Sequence, residues 1–279
     1  MVVFLNGKFV SEAKALVPVS DRSFMYGDGL FETMRVHHGK PFRMAQHLER
    51  MVRGANFLKI NLPFTPKELQ ALAVELIEKN KMSDAVLRVQ LSRGPGPRGY
   101  SPQGADKPTL VMTLHAAPPL DPENPPRWSM ITSSFRIPAS DSLASFKTTS
   151  KLAQVMARAE AEAKDADEAL IINTNGEVAE TAGANLFWVY RDKICTTPTG
   201  RGVLPGLTRA VVLEICQMLN LPTNKCVIKP HSLRNAEGIF LTQSSLGVVV
   251  VASLDGEPMP QSPLVEQIHR AYCEMLARE

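Results

Sequence analysis

The chain has 279 residues, 44% hydrophobic and 21% charged, enough to bury the cores of two compact domains without disulfides or metal to staple them. Its 31 Lys and Arg against 28 Asp and Glu leave a formal charge of +3 with the basic residues scattered, which speaks against nucleic acid and membrane surfaces as partners. Cys195, Cys216, Cys226 and Cys273 show no Cys-x-x-Cys spacing and no His-rich neighbour, so reduced structural thiols are expected and no metal site is. The apolar stretch at Met1 to Leu5 is too short for a signal segment and no later run reaches membrane-span length, so the cytoplasm is the expected compartment.

In chain order, Val2 to Leu5, the pair Asn6-Gly7 and Lys8 to Val10 form the pattern of a hairpin. Gly27-Asp28-Gly29 is a common turn phrase by itself, and it leads into a strand ending near Val36 with a turn at His38-Gly39. Met44, Leu48, Met51, Val52 and Ala55 recur at helical spacing and predict a helix over 44–58, followed by a second, amphipathic one over 66–80. Ala85 to Ser92 alternates as a strand and breaks into a Gly- and Pro-rich loop in which Arg88, Arg93 and Arg98 are candidate carboxylate receptors, because a guanidinium fork matches a carboxylate in two-point geometry. After a strand from Thr109 to His115, five prolines in the nine residues 118–126 can continue neither sheet nor helix. They are taken as a linker between an N-terminal α+β domain, 1–117, and a C-terminal domain, 127–279.

The second half alternates strands (128–133, 168–173, 184–190, 193–196) with helices at 150–164 and 207–220. It then runs through Val227 and strands 239–242 and 248–252 to a closing helix over 263–278. Short strands mixed with peripheral helices predict an α/β or α+β arrangement of two domains with the site between them. One lysine stands out. Lys147 follows Phe146 and precedes an Ala-rich helical run, a setting that can desolvate an amine and favour the neutral nucleophile. Downstream come the acidic phrase Glu177-Val178-Ala179-Glu180 and the glycine turn Leu204-Pro205-Gly206-Leu207-Thr208-Arg209 at a helix start. Lysine, acid and helix N-terminus are the parts that pyridoxal 5′-phosphate needs: a carbonyl partner, a carboxylate for the ring nitrogen and a phosphate cradle.

From Tyr26 to about Val251 these motifs, in this order, resemble the fold-type IV pyridoxal-phosphate enzymes, the class IV aminotransferase family. The family includes branched-chain aminotransferases, D-amino-acid aminotransferases and 4-amino-4-deoxychorismate lyases. The resemblance implies that Lys147 carries the cofactor and moves the proton, with Lys151 as its rival. Glu180 would hold the ring nitrogen, because Asn185 follows it by five residues as in the family phrase, although Ala179 replaces the usual threonine and Glu177 competes. Arg50, in His47-Leu48-Glu49-Arg50, inherits a phosphate contact, and so do Leu207, Thr208 and Ser244. Phe31 and Thr33 would face the cofactor, with Thr33 assisting proton transfer. Arg88, Arg93, Arg98 and Tyr100 would bind an anionic amino substrate.

Three features lean towards the lyase, whose products are pyruvate and the folate precursor 4-aminobenzoate. Ser92 to Ser101 closely matches the lyase phrase Ser-Arg-Gly-x-Gly-x-Arg-Gly-Tyr-Ser, Thr33 stands where branched-chain enzymes have glycine, and Leu152 stands where they have tyrosine. Arg88 leans towards a branched-chain aminotransferase, while the Arg-x-His pair of D-amino-acid enzymes is absent. A cofactor-binding protein without turnover is the third reading. The resemblance also implies a homodimer, since the loop after Arg93 has no evident anchor within its own chain.

Overall fold

The computed structural model describes residues 1–279, which divide into two compact units. No helix is long and apolar enough to cross a membrane. The first unit comprises Met1–Pro118, Phe146–Lys151 and Glu279. Its elements are β1 (Val2–Leu5), β2 (Lys8–Ser11), α1 (Arg22–Tyr26), β3 (Gly29–His37), β4 (Lys40–Pro41), α2 (Met44–Leu58), α3 (Pro66–Asn80), β5 (Ala85–Ser92) and β6 (Thr109–Ala116). The strands form one antiparallel sheet in the order β2-β1-β6-β5-β3-β4. The first hairpin turns at Asn6 (φ 47°) and Gly7 (φ 89°), the two successive left-handed residues that a right-twisted ribbon needs. One sheet face is buried, where Leu30, Met34, Leu87 and Leu114 pack with Met44, Leu48, Met51 and Ala55 of α2 and with Leu69 and Leu76 of α3. Thr65 and Glu68 cap α3 reciprocally, ahead of Pro66 in the first turn.

The second unit comprises Pro119–Ser145 and Leu152–Arg278. It holds β7 (Arg127–Ile137), α4 (Leu152–Glu162), β8 (Glu168–Asn173), β9 (Val178–Thr181), β10 (Asn185–Tyr190), β11 (Lys193–Thr196), α5 (Leu207–Met218), β12 (Thr223–Lys225), β13 (Gly238–Gln243), β14 (Gly247–Leu254), β15 (Glu257–Pro258) and α6 (Pro263–Arg278). The sheet order is β12-β11-β10-β13-β14-β7-β8-β9, with β15 on β14, and parallel pairs occur at β11/β12, β14/β7 and β7/β8. Its strands are apolar nearly throughout: all six residues of β8 and five of six in β10 are buried, as expected of a sheet covered on both faces.

Two expectations differ from the structure. Residues 146–151 belong with the first unit, not with a contiguous 127–279. The outer edge of β3 is otherwise unpaired there, and the strip fills it: Phe31 N donates to Lys147 O (2.9 Å), Thr149 N donates to Gly29 O (2.9 Å), and Thr148 bridges Leu30. Phe146 adds a stacked contact with Phe57 at 4.5 Å between centroids. For the same reason α4 begins at Leu152 rather than Ser150. Thr149 is held extended by its hydroxyl, which donates to Gly27 O (2.7 Å) and accepts from Ser23 Oγ (3.0 Å). Just before Val227 the chain also forms a short edge strand that the sequence does not announce, Thr223–Lys225, paired on β11.

Candidate active site

Alternation along β3 sorts its side chains onto two faces. Leu30, Glu32 and Met34 are buried, whereas Phe31 and Thr33 are half-buried on the opposite face. Thr33 pairs directly with Arg88 of β5, and Phe31 with Gln90, so these four side chains share that face. The Arg88 guanidinium lies 4.0 Å from the Phe31 ring centroid and donates to Gln90 Oε1 from Nε (3.3 Å) and Nη2 (3.2 Å). Lys147 Nζ lies 4.6 Å from the same centroid. Lys147, Phe31, Thr33 and Arg88 are therefore brought together within the first unit. Burial pushes the Arg88 guanidinium below its ordinary value, yet arginine stays charged, so a positive fork remains beside the amine and the hydroxyl.

Glu32 sits on the core side of β3, where a lone carboxylate would be costly. Helix α2 supplies its partners three residues apart: Arg50 donates from Nε to Oε1 (2.8 Å) and from Nη2 to Oε2 (2.7 Å), and His47 Nδ1 meets Oε2 at 2.6 Å. Burial alone would raise the Glu32 carboxyl, but these hydrogen bonds and the Arg50 charge outweigh it and hold the group down at about 2. Burial is also the main reason His47 is pushed below its ordinary value, against the pull of Glu32. The guanidinium of Arg50, the expected phosphate ligand, is thus held in two-point geometry by a core-side carboxylate that the motif did not reveal.

A test follows from the sign of that shift. Glu32 stabilises the fold above the unfolded carboxyl value, and this contribution, on the order of 3 kcal/mol, is lost as pH falls from 4.5 towards about 2. Glu32→Gln leaves a buried guanidinium without its counter-charge. It should cost about 3–5 kcal/mol in urea unfolding at pH 7, with the deficit shrinking towards pH 3. An equal deficit at both pH values would mean that the pair is not electrostatically coupled.

Arg93 does not fit the role foreseen for it. Its guanidinium grips Asp28 from Nε (2.7 Å) and Nη2 (3.0 Å) and caps the end of α2 through Lys59 O (3.0 Å) and Leu58 O (2.9 Å), leaving no fork for a substrate. Two cations outweigh the effect of burial on Asp28 and lower its carboxyl, since Arg22 Nε also donates to it at 2.9 Å. The loop after Arg93 is anchored within its own chain, contrary to expectation. Arg22 donates to Gly99 O (2.9 Å) and Tyr100 O (3.1 Å), Gly99 N donates to Tyr26 Oη (2.9 Å), and Gly96 N donates to Ser20 O (3.2 Å). Arg98 and Tyr100 are held on the outside of that loop, Tyr100 with 89% exposure, apart from the buried ion pairs below them.

In the second unit, Glu180 of β9 and Asn185 of β10 flank a tight connection. Glu180 Oε2 accepts from Asn185 Nδ2 (2.9 Å) and from Leu204 N (3.0 Å), while Asn185 Nδ2 also reaches Leu204 O (2.9 Å). The rival acid, Glu177, is engaged by Asn173 Nδ2 at 2.9 Å and faces Arg201 at 3.9 Å. Leu204 leads to Gly206, the N-cap of α5, where no side chain caps the helix and its first turn carries no acid. Any Cβ at Gly206 would strike the Asn185 side-chain oxygen, so glycine is the residue that lets the helix start there. The backbone groups of Leu207 and Thr208 thus open the helix at an uncapped, dipole-positive end.

Thr242 pairs with Asn185 across β10/β13, and its buried hydroxyl has no hydrogen-bond partner. Ser244 begins the turn just beyond it, half-buried. An uncapped helix start, an unpartnered buried hydroxyl and an oriented carboxylate make a donor set that fits a phosphorylated pyridine carrying a protonated ring nitrogen. Arg209 adds a further charge. It is 6% exposed, donates from Nη2 to Thr197 O (3.1 Å), has an unpartnered Nε, and interacts electrostatically with Glu180.

The sequence does not single out Glu32, the hydrogen bonds of Asn185 to Glu180 and Leu204, the buried Thr242 hydroxyl or the buried Arg209. A signal existed for one of them: Glu32 occupies the apolar phase of an alternating strand, where an acid requires a partner, and His47 and Arg50 stand three apart on the next helix.

The chain is matched from residue 29 to 254 by the family model for class IV amino-transferases, and it belongs to that family of pyridoxal-phosphate enzymes. Among curated relatives, it is 32% identical over 256 residues to a putative branched-chain-amino-acid aminotransferase of Methanocaldococcus jannaschii, covering 92% of this chain and 88% of that one. It is 31% identical over 276 residues to a D-alanine aminotransferase of Staphylococcus aureus, covering 97% and 96%. Among solved structures, a putative 4-amino-4-deoxychorismate lyase of Legionella pneumophila superposes with a TM-score of 0.86 at 27% identity, covering 96% of each chain.

Proposed function

We propose that this enzyme is a 4-amino-4-deoxychorismate lyase, releasing pyruvate and 4-aminobenzoate. The observation that carries the reading is the Thr33 hydroxyl, which shares one sheet face with Lys147, Phe31 and Arg88. When bound, pyridoxal 5′-phosphate supplies the sink for the electron pair left on the substrate ring carbon as its proton departs. Lys147 would hold the cofactor and would take that proton. Thr33 would carry a proton towards the departing pyruvate, and Arg88 would receive a substrate carboxylate. Glu180, oriented by Asn185 and by the amide of Leu204, would face the cofactor nitrogen and favour its protonated form. Arg50, Leu207, Thr208 and Ser244 would hold the phosphate, with the buried Thr242 hydroxyl as a further contact.

Arg98 and Tyr100, exposed on their anchored loop, fit contacts offered to a second copy of the chain better than contacts within it. Exposed Leu16, Val19 and Phe24 of the same unit supply apolar surface for such a pairing, which sedimentation at assay concentration reads directly. A dimer is expected, and a fully active monomer would remove this part of the reading.

The second reading is an amino-acid aminotransferase, favoured by Arg88 as a lone half-buried carboxylate fork and by the names of the two curated relatives. One experiment separates them. The lyase should convert 4-amino-4-deoxychorismate to 4-aminobenzoate and pyruvate through many turnovers with no keto acid present. An aminotransferase given D-alanine, D-glutamate or L-leucine stops after one half-reaction, with the cofactor left as the amine, until 2-oxoglutarate is added. Single-turnover bleaching without any 4-aminobenzoate would replace the lyase by the transferase.

A further inference from the structure

We propose that His37, His38 and Asp84 form a binding site for one first-row d-block dication, such as zinc, nickel or copper(II), at the end of the sheet in the first unit. The site is separate from the residues assigned to the cofactor, and the proposal does not depend on which reaction the enzyme performs.

Strand β3 ends at His37 and reverses through His38 (φ 48°) and Gly39 (φ 79°) into β4. In an extended strand, neighbouring side chains point to opposite faces. The left-handed turn at His38 cancels that alternation, and the two imidazoles lie with centroids 4.0 Å apart. The register supplies the third donor. Val36 pairs with Ala85, which sets Asp84 beside His37, and His37 Nδ1 lies 2.7 Å from Asp84 Oδ1. One ligand atom from each of the three residues falls within 4.8 Å of the others. Metal–nitrogen and metal–oxygen bonds of about 2.0–2.2 Å place tetrahedral donors roughly 3.4 Å apart, so closure draws the donor atoms together by up to about 1.4 Å through rotation of side chains at the surface. His37 and Asp84 are 24% and 44% exposed, so those rotations are available and water can complete the coordination.

Donor type selects the ion. Two imidazoles and one carboxylate suit borderline cations, whereas magnesium and calcium require oxygen ligands throughout. As a bare pair, an exposed His37–Asp84 contact is screened by solvent and contributes little, and it does not require the second imidazole as a donor. Bound to an ion, the three residues tie the end of β3 to the start of β5, the two strands that carry Phe31, Thr33 and Arg88.

The test uses untagged holoenzyme stripped with a chelator and titrated with Co²⁺ and Zn²⁺. One equivalent per chain is expected by calorimetry. The Co²⁺ complex should show visible d–d bands without near-ultraviolet sulfur charge transfer, which distinguishes this site from a thiol site at Cys195 and Cys226. His38→Ala and Asp84→Asn should each weaken binding at least roughly tenfold, while His115→Ala should not. The absence of stoichiometric binding, unchanged affinity in both variants, or a thiolate spectrum would each overturn the proposal.

Discussion

Lys147→Ala should yield a folded protein that binds pyridoxal phosphate only reversibly and loses about four orders of magnitude in kcat/KM, roughly 5.5 kcal/mol of transition-state stabilisation. Folding survives because the strip on β3 is held by the main chain of residue 147, whose carbonyl accepts from Phe31 N at 2.9 Å whatever the side chain is. The lost contact between Nζ and the Phe31 ring is worth only about 0.5–1 kcal/mol at a partly exposed site. Borohydride reduction followed by peptide mapping provides the readout. In the parent protein the label belongs on Lys147, and the variant should carry none. A label that persists in the variant and maps to Lys151 would transfer the role to the start of α4.

The second large effect belongs to Glu180. Glu180→Gln preserves the size of the side chain and an oxygen for Asn185 Nδ2 and Leu204 N, so the connection between β9 and β10 should keep its shape. What disappears is the negative charge that the proposed function sets against the cofactor ring nitrogen. Losing that charge should lower kcat by two to nearly four orders of magnitude, about 3–5 kcal/mol, while the melting temperature changes little. The absorption of the bound cofactor should shift as its ring nitrogen loses a proton, a change that mere loosening of the fold would not produce. Glu177→Gln is the control. Its carboxylate serves Asn173 and faces Arg201, and its replacement should alter kcat by no more than about twofold. A Glu177 variant as damaged as the Glu180 variant would reverse the assignment.

Much of this architecture was legible because local signals and tertiary demands agreed. Asn6-Gly7 calls for a tight hairpin and makes one, and the apolar spacing of Met44, Leu48, Met51 and Ala55 becomes the core face of α2. Legibility failed where a residue's partner is remote in sequence. Arg93 resembles a substrate clamp until Asp28, 65 residues away, is seen to occupy it in two-point geometry. Arg22 shows no phrase of its own, yet it holds the carbonyls of Gly99 and Tyr100 across 77 and 78 residues. The start of α4 is likewise set by a partner remote in sequence. Ser150 and Lys151 have the composition of a helix entry, but pairing with β3 takes the chain extended through Thr149 first. Motif order points to the helix start after Gly206, which the structure places at Leu207, whereas only the folded chain shows how Glu32 grips Arg50 and how Asn185 holds Glu180.

The insertion of residues 146–151 into the first unit bears on how the chain is made. As the nascent polypeptide leaves the ribosome, everything else in that sheet up to Ala116 has been synthesised, yet the front of β3 still presents bare amide and carbonyl groups at Gly29 and Phe31. At about 5–20 residues per second, the segment that closes this edge follows a few seconds later, after β7 of the second unit has already been translated. An open strand edge is a template for pairing with a neighbouring chain. In the interval between translation of Ala116 and of Thr149 the front of β3 is therefore open to wrong pairing, and a fragment ending at Pro118 would keep that edge open.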